Sequence, residues 1–124
     1  MSRETPRQVL SAVVDGINTG DMEALMRLYE PDSAFASQPG DLAHGSAGIR
    51  QSLSGFLAMK GTLDLTVTRV LEASGLALVV GTWTFKGTGP DGAPVTLSGQ
   101  SADVLRRQAD SSWRIVIDNP WGTI

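Results

Sequence analysis

The 124-residue chain contains no cysteine. That removes disulfides, thiolate nucleophiles and thiolate metal sites together. It contains one histidine, His44, too few imidazoles for a zinc site or for the usual two-histidine iron site, so no metal and no cofactor is expected. No apolar stretch approaches the roughly 20 residues that span a bilayer. The opening segment Met1-Ser2-Arg3-Glu4-Thr5-Pro6 has no apolar run after its charges and does not read as a secretory signal. Neither sign of charge dominates. Ten basic and 13 acidic residues are interspersed along the chain for a net charge of −3, and without a basic stripe nucleic acid is not an expected partner. Repeats, low-complexity tracts and dividing linkers are absent too. The glycine cluster Gly87-Thr88-Gly89-Pro90-Asp91-Gly92 sits between strand-like runs and opens no helix, so it reads as a hairpin turn rather than a phosphate cradle. What remains is one cytoplasmic domain over residues 1–124, long enough to bury roughly two-thirds of the unfolded chain's surface.

The first half has helical grammar. Thr5-Pro6 is a helix start, a capping hydroxyl followed by proline at the first helical position, and Val9, Leu10, Val13, Val14 and Ile17 follow at helical spacing. Asn18-Thr19-Gly20 stops that helix. Asp21 caps a second, whose inner face is Met22, Leu25, Met26 and Leu28-Tyr29, and Pro31 ends it. Ser33 to Ser37 is a short strand at best, and Gln38 to Gly45 is read as a loop. Ser46 caps a third helix carrying Ile49, Leu53, Phe56 and Leu57 to about Lys60-Gly61. Beyond Gly61 the period changes to two. Strands are expected over Leu63–Ala73, Leu76–Lys86, Val95–Arg107 and Trp113–Trp121, with Gly81 and Gly99 as places for a bend. Helices gathered ahead of an antiparallel meander predict an α+β fold, helices against one face of a curved sheet.

The last two strands carry the most chemistry. A turn centred between Asp110 and Ser111 sets Asp103 opposite Asp118, with Cβ atoms about 4.5–5.5 Å apart. Two carboxylates that close cannot both ionise cheaply, so one is expected to carry a raised pKa, as a general acid or base requires. A slip of one residue pairs Asp103 with Asn119 or Ile117 instead.

Asn18-Thr19-Gly20-Asp21-Met22-Glu23-Ala24-Leu25, then Leu28-Tyr29-Glu30-Pro31-Asp32-Ser33-Ala34-Phe35, then Gly45-Ser46-Ala47-Gly48-Ile49-Arg50 resemble the nuclear-transport-factor-2-like superfamily. That group includes ketosteroid isomerases, SnoaL-type cyclases, scytalone dehydratase and limonene epoxide hydrolase. The end, Trp113 to Gly122, is similar to its uncharacterised YybH-type, isomerase-related branch. The resemblance implies a cone: three N-terminal helices packed in a strongly curved, mainly antiparallel sheet, a ligand cavity between them, and a homodimer through the sheet's outer face. It also implies departures. The isomerase base falls at Ser37 or Gln38 and its first-helix tyrosine at about Val13, neither suited to the role. Its buried acid falls near Asp103. The epoxide hydrolase pattern finds acids at Asp103 and Asp118, but Ser101 stands where the arginine belongs.

Each candidate has two readings. Asp103 is a pocket acid, or a strand aspartate paired with Arg114 or Arg107. Asp118 enters the pocket in one register, Asn119 and Trp121 in the other, and Pro120 offers a bulge that brings both close. His44, near the expected cavity mouth, is a proton shuttle or a solvated loop residue. Trp83, Trp121, Tyr29 and Phe56 line an apolar cavity or simply fill the core. Arg50 reaches a ligand carboxylate or makes a surface ion pair. Two functions therefore stand. One is a small-molecule enzyme using Asp103, with Asp118 and His44, for isomerisation, dehydration or cyclisation of a mid-sized apolar ligand. The other is a non-catalytic ligand-binding or dimerisation module. The apolar run Leu76–Lys86 leaves a sheet face that invites self-association.

Overall fold

Thr5 Oγ1 accepts from the Gln8 N–H at 3.2 Å, and the Gln8 side-chain Oε1 accepts from the Thr5 N–H at 3.1 Å. This reciprocal capping box opens helix α1, Pro6–Thr19. The computed structural model describes residues 3–122; Met1 and Ser2 of the opening segment lie outside the described residues. Gly20, at φ +70°, closes α1 in the left-handed region. Asp21 then caps α2, Met22–Met26, by accepting from the Ala24 N–H. Helix α2 is shorter than its apolar spacing suggests. Tyr29, expected on its inner face, begins strand β1, Tyr29–Gln38. Pro31 lies inside that strand, in the stretch between Tyr29 and Ala34 where pairing with the neighbouring strand lapses, so its missing N–H breaks no ladder bond.

The expected loop at 38–45 holds strand β2, Asp41–His44, paired antiparallel to β1. Helix α3, Gly45–Ala58, follows directly, with His44 rather than Ser46 at its N-cap and no side-chain cap bond. Strands β3 (Thr62–Ala73), β4 (Leu76–Thr88), β5 (Pro94–Arg107) and β6 (Trp113–Asp118) form the meander. The six strands make one mixed, open, curved sheet in the order β2-β1-β6-β5-β4-β3, antiparallel except where β1 runs parallel to β6.

Alternation along the long strands divides the residues between two faces. Val79, Trp83 and Phe85 of β4 and Ser101, Asp103 and Leu105 of β5 turn inward and are buried. Val79 and Leu105 join Val9 and Leu10 of α1, Leu25 of α2, and Ile49 and Leu53 of α3 in the core cluster. Helix α1 also guards the open edge at β3. The Asn18 side chain donates to the Leu63 carbonyl and accepts from the Leu63 N–H at 2.7 Å, which leaves part of that edge unable to recruit another strand. The sheet bends at Gly81. Thr68 of β3 is an extra residue between the Val67–Gly81 and Arg69–Val80 pairs, and a Cβ on Gly81 would lie 2.8 Å from the Thr66 carbonyl oxygen.

Candidate functional site

Asp103 reaches the inner face by simple alternation on β5. Asp118 gets there by a defect. Near the turn, Arg107 pairs with Trp113, Arg106 with Arg114 and Leu105 with Ile115, so the hairpin centres on Asp110. Continued unbroken, that register puts Ile117 on the inner face beside Trp113 and Ile115. Instead Val104 pairs with Ile117, leaving Val116 as an extra residue on β6. The bulge turns Ile117 outward, where it is 41% exposed, and sends Asp118 inward. The shifted register continues through Ala102, whose N–H donates to the Asn119 carbonyl at 2.9 Å, and sets Asp103 opposite Asp118.

The two carboxyls are in hydrogen-bond contact. Asp103, 3% exposed, accepts at Oδ1 from the Asn119 N–H at 2.8 Å. The Tyr29 hydroxyl donates to Asp118 Oδ2 at 2.6 Å. No arginine pairs with Asp103, so the surface-pair reading of that residue does not hold. Burial, and after it the Asp118 charge, push the Asp103 carboxyl well above the usual aspartate range; the Asn119 N–H works the other way. Burial also raises Asp118, against hydrogen bonds from Tyr29 and Asp103 that favour its charged form. Burial and the neighbouring acids hold the Tyr29 hydroxyl in its neutral form far above its ordinary range. The pair therefore keeps its proton to higher pH than a free aspartate does, with Asp103 the more strongly raised member.

These groups form the polar floor of an otherwise apolar cavity of about 80 Å³. Its walls include Leu10, Val13, Phe35, Leu53, Phe56 and Trp83. Phe56 is held between Phe85, edge-on at 5.7 Å, and Phe35 at 6.3 Å. Trp83 donates its indole N–H to the Pro120 carbonyl at 2.7 Å. Gly99 makes that bond possible, because a Cβ there would lie 2.9 Å from the Pro120 oxygen and 3.1 Å from the indole nitrogen. Trp121 packs edge-on against Trp83 with ring centroids 5.4 Å apart and donates to the Ala36 carbonyl at 2.9 Å. Both indoles therefore fix the segment that carries Asp118.

The remaining candidates fall elsewhere. Asn119 serves through its backbone, and its side-chain amide donates to the Gly122 carbonyl at 2.8 Å. Trp121 lines an outer groove rather than the inner cavity. His44 stands exposed at the end of β2 and does not line the cavity. Arg50 is on the surface, bridged to Glu23 at 2.7 Å. Among the described residues no group of three acids or histidines is placed to hold a metal ion, and no helix is long and apolar enough to cross a membrane. The Tyr29–Asp118 bond is not legible in the sequence, because the spacing of Tyr29 from Leu25 reads as helical.

The profile of the SnoaL-like domain matches residues 10–116. The chain belongs to the SnoaL-like family. No curated protein matches it. Among solved structures it is similar to a nuclear-transport-factor-2-like superfamily protein from Salmonella enterica serovar Typhimurium LT2, with 20% identity and a TM-score of 0.79 over 94% of this chain and 89% of that one. A protein of the same family from Streptomyces avermitilis, described provisionally as a dehydratase, gives 18% identity and 0.79 over 94% and 93%. A ketosteroid isomerase-like protein from Erwinia carotovora atroseptica SCRI1043 gives 17% and 0.79 over 90% and 88%. At these identities the likeness establishes the SnoaL-like domain's cone fold and leaves its chemistry to the residues of the site.

Proposed function

We propose that this SnoaL-like protein is an acid/base enzyme that shifts a proton beside the carbonyl of a small, largely apolar molecule. The observation that carries the reading is the pair of buried, opposed carboxyls Asp103 and Asp118 on the wall of an apolar cavity, with Tyr29 anchoring Asp118. A carbonyl oxygen entering the cavity accepts a hydrogen bond from protonated Asp103, while the Asp118 carboxylate takes a proton from the adjacent carbon. The products are an enol, an ionised Asp103 and a protonated Asp118. The pair carries one negative charge throughout, so no charge has to enter or leave the apolar site. Returning the proton to a different carbon completes an isomerisation. Expelling a β-hydroxyl as water, with Asp118 giving its proton to the leaving oxygen and the enol proton returning to Asp103, completes a dehydration and restores the pair. General acid–base groups of this kind contribute about 10²–10⁴-fold each.

The test is solvent exchange. In D2O the protein is expected to speed deuterium incorporation next to the carbonyl of small neutral ketones, followed by proton NMR. Asp118→Asn is expected to abolish the effect and Asp103→Asn to slow it by about 10²–10⁴-fold. Exchange no faster than in buffer across a panel of such ketones, with the variants folded, leaves the non-catalytic binding module as the better reading.

The same proposal includes a homodimer through the sheet. Strand registers align Leu71, Leu78, Val104, Ile117 and Ala34 in one row across the outer faces of five strands, and Leu71, Leu78 and Ile117 are 51%, 38% and 41% exposed. A row of apolar side chains normal to the strands is the kind of patch that self-association buries.

A further inference from the structure

Beyond the inner cavity lies a second concavity, an open groove of about 710 Å³ between the β1–β2 turn, one face of α3 and the tip of the β4–β5 hairpin. Phe56 lines both compartments, and Trp121 of the groove touches Trp83 of the cavity. The Phe56 ring and the Trp83–Trp121 pair therefore stand at the boundary between the two spaces. The inner space is about half the roughly 150 Å³ cavity that accepts benzene, so it admits only a head of a few heavy atoms. Charge is the second observation. Among the described residues the groove wall offers Ser37, Gln38, Ser52 and Thr88 as its polar side chains, with no lysine, arginine, aspartate or glutamate. In the inner cavity the charged residues are Asp103 and Asp118. Among the described lining residues there is no cation to receive a carboxylate or phosphate, and negative charge on the acid pair repels an anion at low dielectric.

We propose that cavity and groove form one two-compartment site for an uncharged ligand, with a compact carbonyl head beside Asp103 and Asp118 and a larger apolar body in the groove against α3 and Trp121. This substrate class rests on the proton-transfer reading for its head group. The groove occupancy and the exclusion of anions rest on the lining alone.

The sequence supplies its own reporters. Trp83 faces the cavity, Trp121 faces the groove, and Trp113, buried against Leu105 and Ile115, faces neither. Their three indole N–H signals can be followed by 15N NMR while 2-acetylnaphthalene is titrated in, with 2-naphthoate as the anion of the same shape. The neutral ketone is expected to move the Trp83 and Trp121 signals together, to leave Trp113 in place, and to bind at least about tenfold tighter than the anion. Gly55→Leu tests the groove separately. A Cβ at Gly55 meets nothing within 4 Å, and leucine is the better helix former, so the variant fills the groove without harming α3. It is expected to weaken the ketone at least about tenfold by occupying its apolar contact surface. A Trp121 signal that does not move, equal affinity for the anion, or unchanged affinity in Gly55→Leu would overturn the proposal. Solvent-deuterium exchange tests the proton-transfer reading independently, so loss of one leaves the other standing.

Discussion

Asp103 and Asp118 are each ordinary aspartates made unusual by position. Because burial raises both folded-state values, and the Asp118 charge raises Asp103 further, the folded protein holds protons that the unfolded chain releases near pH 4. The sign follows from linkage. Stability from this pair is fully present below the ordinary aspartate range and falls as pH rises through the raised values. Chemical denaturation between pH 3 and 8 is expected to show that decline, and Asp103→Asn to flatten it, since an amide keeps an acceptor for the Asn119 N–H without the charge. A variant with the parent's pH slope would mean that Asp103 ionises freely. Tyr29→Phe removes one donor from Asp118 and is expected to raise the Asp118 pKa further, displacing the pH profile of ketone exchange upward. An unmoved profile would separate Tyr29 from the chemistry. Little of this was hidden by composition. The acids stand out in an apolar strand pair, whereas Tyr29 was masked by its helical spacing from Leu25 and by Pro31, which reads as a helix stop yet lies in the unpaired stretch of β1.

At the scale of elements, the site depends on one inserted residue. A turn centred on Asp110 leaves Ile117 inside, and the Val116 bulge exchanges it for Asp118. The sequence places the two acids opposite each other by assuming a different turn centre, and the structure reaches the same opposition through a bulge. Nothing about Val116 announces that role, because a β-branched residue is equally at home in regular strand. Strand β2 escaped notice for a related reason, being four residues whose alternation is too short to register. Deleting Val116 is expected to close the bulge while keeping Val104 opposite Ile117 and Asp118 on the inner face, so ketone exchange is expected to survive. Loss of exchange in a folded deletion variant would show that the bulge's local geometry, and not register alone, aims Asp118. Gly99→Ala sets a methyl against the Pro120 carbonyl and is expected to cost about 1–3 kcal/mol of stability by overpacking, with a shift of the Trp83 indole signal. Unchanged stability would mean that the strand relaxes there freely.

For the whole molecule, the helix-then-meander order indicates an α+β fold with helices on one face of a curved sheet, because helical and two-residue periodicities occupy separate halves of the chain; the cone itself follows from the family resemblance. The parallel β1–β6 contact was not legible, since it joins segments about 85 residues apart and neither shows a preference for the other. That contact matters: it brings Tyr29 and Phe35 of β1 alongside Ile115 and Asp118 of β6 and so closes the cavity floor. The outer row Leu71, Leu78, Val104, Ile117 implies a dimer of about twice 13.1 kDa, measurable by light scattering at micromolar concentration. Leu78→Lys is expected to yield the monomer with the cavity intact. A parent protein at 13.1 kDa would leave that face without a partner copy.

The central claim is that Asp103 and Asp118 share a proton at neutral pH. The measurement that reaches it most directly is a carbon-13 NMR titration of the aspartate side-chain carboxyls, assigned with Asp103→Asn and Asp118→Asn. The expected result is one carboxyl still protonated at pH 7 in the parent protein, lost in Asp103→Asn. Both carboxyls titrating in the ordinary aspartate range, near pH 4, would contradict it.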